Sequence, residues 1–167
     1  MSDDIVETLD PPFVDLHAAT WTGDDAYVLA DGARRFENWE SFVAGRLGLA
    51  AAVDYATGIG LPGIEQRVRL LADRLRERLS AIDGVAVHDR GSRRCGIVTF
   101  TKDGEEPQRL ARRLSAAGAN ISVSTRPYAR LDLGPRGLPA LARASVHYYN
   151  TDAEIERFCT LVAGPEH

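Results

Sequence analysis

Lysine is nearly missing from this chain. Of its 20 basic residues, 19 are arginine and one, Lys102, is lysine. Any chemistry that needs an amine side chain therefore rests on Lys102. That residue falls in Thr101-Lys102-Asp103-Gly104, which reads as a turn and not as a buried site. A genomic bias toward Arg accounts for the surface arginines but supplies no second amine. Cysteine is scarce too. Cys95 and Cys159 have neither metal nor disulfide spacing, so a reduced, cytoplasmic setting is expected. The four histidines, His17, His88, His147 and His167, form no H-x-x-x-H pair, and no metal site is expected. No run approaches the roughly 18 apolar residues of a membrane span. The acidic start MSDDIVETLD lacks a signal-peptide pattern. A net charge of -4 argues against a nucleic-acid partner.

What is present suits one soluble domain. The chain has 167 residues, 44% of them hydrophobic and 26% charged. Residues 1–12 are acidic, end in Pro11-Pro12 and read as a mobile lead-in, leaving 13–167 as the domain. Residues 13–38 carry aromatics and turns without periodicity. WESFVAGRLGLAAAVDYAT, 39–57, predicts a helix that is buried around most of its circumference. Gly58 and Gly60 end it, and Pro62 opens a second helix over 62–82. There the apolar residues Ile64, Val68, Leu71, Leu75, Leu79 and Ile82 make a helical stripe.

Strands are expected at 85–88 and 96–101, then a short helix at 107–117 and a strand at 121–125. Residues 126–141 form a Pro/Gly-rich loop of the length that usually carries function. Tyr128 and Arg130 in it are candidates either to cover a ligand or to be exposed linker residues. A strand over 142–148 and a helix over 151–163 finish the chain. Thr151-Asp-Ala-Glu154 is a capping box for that last helix. The order is α-α-β-β-α-β-β-α. The expected fold is α+β, with helices packed on a small, mostly antiparallel sheet.

Two segments carry a family resemblance. One is Ala33-Arg34-Arg35-Phe36-Glu37, leading into GRLGLAAAVDY. The other is Arg143-Ala144-Ser145-Val146-His147-Tyr148-Tyr149-Asn150-Thr151, leading into DAEIERF. With the element order, they resemble the C-terminal small domain of class V aminotransferases. That is the pyridoxal-phosphate fold-type I group that includes cysteine desulfurases and isopenicillin N epimerase-like proteins. The resemblance covers about residues 13–163.

The resemblance implies that Arg143 grips the α-carboxylate of an amino-acid substrate. A planar guanidinium fork suits that task. His147 alternates with Ser145 and is a candidate to line the same pocket. The resemblance also implies pyridoxal phosphate in the complete enzyme, a large domain or partner chain that holds it, and a homodimer.

The departures matter as much. The desulfurases carry a nucleophilic cysteine in the loop before the last strand, and 126–141 has none. Cys95, at a strand start, and Cys159, on an apolar helix face, read as buried, inert thiols. Where the family uses a small hydroxyl residue near the cofactor phosphate, Glu40 stands here and would repel it. Lys102 is poorly placed to hold the cofactor as a Schiff base. The chain alone is therefore expected to be inactive and to bind no cofactor covalently. The alternative reading is a standalone binding or interaction module derived from that domain.

Overall fold

The computed structural model describes residues 3–38 and 40–164. Trp39, the expected start of the first long helix, and His167 lie outside them. The chain divides into two compact units, residues 1–55 and 56–167.

The first unit begins with a short helix, α1 (Asp3–Val6). Residues 13–38 hold more order than their irregular composition predicts. β1 (Ala19–Gly23) and β2 (Ala26–Leu29) form an antiparallel hairpin. The Ala30 amide closes its base on the Ala18 carbonyl at 2.7 Å. The hairpin was not legible as alternation because all of its residues but Ala19 and Leu29 are exposed, so no apolar period is imposed. A 3-10 turn, Gly32–Phe36, follows.

Arg35 fastens this unit. Its Nε donates to the Ala30 carbonyl at 3.2 Å and its Nη1 to the carbonyls of Val6 and Glu7. Its Nη2 pairs with the Glu7 carboxylate, which also accepts the Gly32 amide at 3.0 Å. Val6 is buried beneath these bonds. The N-terminal segment read as a lead-in is thus tied to the Arg-Phe-Glu segment by a multidentate guanidinium.

α2 (Val43–Ile59) departs from expectation in burial. It has no buried residue. Leu47, Leu49 and Tyr55 are each about two-thirds exposed. Its Ala- and Leu-rich sequence is that of a covered helix, yet its apolar side chains are exposed among the described residues.

The second unit carries the expected order. α3 (Leu61–Ser80), β3 (Val85–Val87), β4 (Ile97–Lys102), α4 (Pro107–Ala116), β5 (Ser122–Thr125), α5 (Arg130–Leu133), β6 (Ala140–Ser145) and α6 (Asp152–Ala163) follow in turn. The four strands form one wholly antiparallel sheet in the order β3-β4-β6-β5. α5 is an addition inside the expected loop. β6 lies two to three residues earlier than expected.

Leu71, Leu75 and Leu79 of the predicted α3 stripe meet Val98 and Phe100 of β4, Ala142 and Ala144 of β6, Leu110 and Leu114 of α4, and Ile155 and Val162 of α6. One face of the sheet is thereby covered by three helices. Gly96 permits a close approach: a Cβ there would lie 2.6 Å from Val68 and 2.8 Å from the Val146 carbonyl. α6 starts with the predicted capping box. The Glu154 amide donates to Thr151 Oγ1, and the Thr151 amide donates to the Glu154 carboxylate.

β3 is too short to pair with the first half of β4. A buried ion pair takes its place. Asp89 accepts the Thr99 amide at 2.8 Å and the Thr99 hydroxyl at 2.6 Å. Arg76 donates to Asp89 at 2.6 Å and to the carbonyls of Cys95 and Ile97 at 2.6 and 3.2 Å. Side chains thus satisfy main-chain groups that a longer strand would have satisfied. Burial pushes the Asp89 carboxyl up, but the bonds from Thr99 and Arg76 outweigh it and hold the group below its ordinary value.

Candidate functional site

Side chains alternate along a strand, so the residues between the core positions face away from the three helices. On that open face Arg143 of β6 stands opposite Thr99 of β4 on one side and Ser122 of β5 on the other. The His88 amide donates to the Thr99 carbonyl at 2.8 Å and extends the rung to β3. One row thus reads His88, Thr99, Arg143, Ser122 across the sheet.

The side chain of Arg143 makes no hydrogen bond or ion pair among the described residues. Its Nε is buried and without a partner. Most other arginines of this unit are engaged, as Arg76 and Arg113 illustrate. A half-buried guanidinium with free donors is costly in isolation and fits a site that receives a carboxylate from outside.

The long loop covers part of this face. Its base is closed by the Arg126 amide on the Pro139 carbonyl at 2.9 Å. Leu133 of α5 is buried but lies outside the main core cluster, as does Leu141 of β6. From β5, at one edge of the sheet, the loop reaches toward the other. There Arg136 donates to the His88 carbonyl at 2.8 Å and pairs with Asp132 at 3.0 Å. His88 lies level with Arg143, so the loop runs as a strap beside the row. The His88 imidazole is held below its ordinary pKa, first by burial and then by the Arg136 charge. Tyr128 and Arg130 are exposed on the strap.

His147 falls beyond the end of β6, in a turn. Its amide donates to the Asn150 side chain at 2.8 Å, and its ring stacks on Tyr149 with centroids 4.7 Å apart. No hydrogen bond joins it to Arg143 among the described residues. Thr99, Ser122 and Arg136 were not singled out from the sequence. The alternation of Thr99 with Thr101, and of Ser122 with Ser124, is the signal that marks one polar face.

Lys102 does not fit the role of a cofactor-holding lysine. It ends β4 and is not loose in a turn. Its ammonium donates to the carbonyls of Val162 and Ala163, at 2.6 and 2.7 Å, at the C-terminus of α6. Glu105 stands 4.0 Å from it and is clamped by Arg113, which itself donates to the Leu161 carbonyl at 2.6 Å. These two cations cap the last carbonyls of α6. Glu40, exposed in the first unit, offers no donor to a phosphate.

The thiols divide. Cys159 is buried, and its pKa is pushed up to about 11 mainly by that burial, which makes it a poor nucleophile. Cys95 is exposed, contrary to the expectation from its strand-start position, because the loop before β4 stands clear of the core. No cluster of metal-ligating side chains occurs among the described residues. Among the described residues no single helix is long and apolar enough to cross a membrane.

Comparison with known proteins bears on the family and the fold. The family model for class V aminotransferases matches residues 6–158. A probable cysteine desulfurase of Xylella fastidiosa is 37% identical over 126 residues, which is 75% of this chain and 30% of that protein. The apo structure of the cysteine desulfurase from Thermococcus onnurineus superposes with a TM-score of 0.83 at 26% identity, covering 96% of this chain and 40% of that one. A variant of C-DES solved with glycine covalently linked to its pyridoxal phosphate shares the fold, with a TM-score of 0.78 at 20% identity over 98% of this chain and 40% of that one. The chain thus spans well under half the length of these proteins. With the family model matched over residues 6–158, the chain belongs to the class V aminotransferase family.

Proposed function

We propose that this chain is the substrate-gripping C-terminal part of a class V aminotransferase-like enzyme acting on an amino acid. The unpartnered guanidinium of Arg143, with its buried Nε, carries the reading. A substrate carboxylate would supply the missing acceptors and be held in a fixed orientation by a bidentate pair. Thr99 and Ser122, its neighbours on the row, add hydroxyl groups to the same face.

Pyridoxal phosphate, the family's cofactor, would be held from outside these 167 residues, because Lys102 is engaged in capping α6. The exposed apolar surface of α2 supports a large partner domain or chain that covers it. A homodimer of the complete enzyme fits the same surface. The desulfurase chemistry of the relatives is the less favoured subtype here. The strap has no cysteine, and Cys159 is inert by burial.

The test is co-expression with the product of the adjacent upstream reading frame. The complex is expected to show the absorption band of a lysine-held cofactor and to turn over an amino acid. Arg143→Ala is expected to raise KM and leave the band in place. A chain that is a stable monomer, finds no such partner and needs none would replace this reading with that of an interaction module.

A further inference from the structure

A concavity lined by many charged residues lies at the outer edge of β4. It has a volume of about 350 Å³, within the range of small-ligand clefts. Five arginines line it, Arg76, Arg90, Arg93, Arg94 and Arg136, against two acids, Asp89 and Asp132. The two acids are already matched: Asp89 is bonded to Arg76, and Asp132 to Arg136.

The other three arginines come from one short loop, Arg90-Gly91-Ser92-Arg93-Arg94. No carboxylate is theirs alone. Arg94 comes within 3.5 Å of Asp73, which already accepts a hydrogen bond from Arg76 at 3.0 Å. Arg93 comes within 3.7 Å of Glu65, which already accepts one from Arg69. Arg90 has no hydrogen-bonded or paired partner among the described residues. Three guanidinium groups thus share one loop, and the two acids within reach of them are each divided with a second arginine, in a chain of net charge -4. Gly91, at φ +89°, sets the turn that gathers them. The floor beneath is rigid, because Arg76 and Asp89 are buried and bonded to β4.

We propose that this groove binds a compact ligand bearing phosphate groups. Guanidinium forks match phosphate oxygens bidentately, and several forks around one cleft favour more than one negative charge. The groove shares Thr99 and the Arg136 strap with the Arg143 face but uses neither Arg143 nor the family's cofactor, so substitutions at Arg90, Arg93 and Arg94 test it separately from the amino-acid reading.

Titration calorimetry of the full chain with inorganic pyrophosphate tests it. The expected result is saturable one-to-one binding that Arg93→Ala with Arg94→Ala weakens at least tenfold. Arg109→Ala with Arg112→Ala, which removes two exposed charges on α4, is expected to leave binding unchanged. Triglutamate is expected to bind more weakly than pyrophosphate. Arg90→Ala gives a second, single-site test should the double variant lose its circular-dichroism signature. Absence of saturable binding, equal loss in the α4 variant, or tighter binding of triglutamate overturns the proposal.

Discussion

Lys102 ends on the last helix: its ammonium donates to the Val162 carbonyl at 2.6 Å, sixty residues away in sequence. The chain's one lysine is therefore a structural cap. Lys102→Met is expected to lower stability by about 1.5–3 kcal/mol, the range for hydrogen bonds to a charged group. Urea denaturation measures this. The same variant is expected to leave the absorbance of added pyridoxal phosphate unchanged. A protein-specific band present in the native chain and lost in the variant would refute the capping role.

Arg143 should show the opposite profile. Its Nε has no partner to lose, so Arg143→Leu is expected to leave thermal stability unchanged or slightly higher. In the assembled enzyme the same change should remove a charged hydrogen-bond pair from the substrate. A loss of roughly 1.5–3 kcal/mol corresponds to a fall of about 10- to 150-fold in kcat/KM. Arg143→Lys should recover little of it, since an ammonium lacks the planar fork.

Asp89 couples stability to pH. Its carboxyl is depressed in the folded chain, so its contribution is complete above the unfolded value of about 3.9 and is lost as pH falls through the lower folded value. Asp89→Asn leaves Arg76 buried without its main counter-charge and is expected to cost about 3 kcal/mol near neutral pH. The gap between the two proteins should narrow on acidification below about pH 4. Chemical denaturation at a series of pH values measures it, and a gap independent of pH would contradict the assignment.

The strap can be read through His88. Burial and the Arg136 charge hold the imidazole below its usual value. Arg136→Ala removes one of those causes and frees the loop tip, so the His88 pKa should rise toward the ordinary value near 6.5. Histidine proton shifts followed by NMR report it. A pKa that stays put or falls would show that the strap does not press on this edge.

α2 predicts association. With Leu47, Leu49 and Val53 all more than half exposed, the isolated chain should self-associate or be poorly soluble. Light scattering is the measurement. Leu47→Glu with Leu49→Glu should restore a monomer, and a monodisperse native chain would count against an uncovered interface.

The sequence made some parts of this molecule easy to read. The stripe from Leu71 to Leu79 and the capping box at Thr151 and Glu154 follow from local spacing, and each appears where spacing places it. Other parts depend on distant partners and leave no local period. The β1–β2 hairpin has no buried face to impose alternation. The Arg76–Asp89 pair joins a helix to a loop thirteen residues on, and the Lys102 cap spans sixty residues. The exposure of α2 is the reverse case. Its composition is that of a covered helix, and its apolar side chains are exposed.

The buried pair at the edge of β4 has one more consequence. An open strand edge is a template on which another chain can add a strand, and exposed edges seed aggregation. Here the outward carbonyls of Cys95 and Ile97 and the amide of Thr99 are already bonded to Arg76 and Asp89. Whatever copies or partners gather on the apolar helix, the first half of β4 is closed to them, and assembly is steered away from runaway sheet extension at that side.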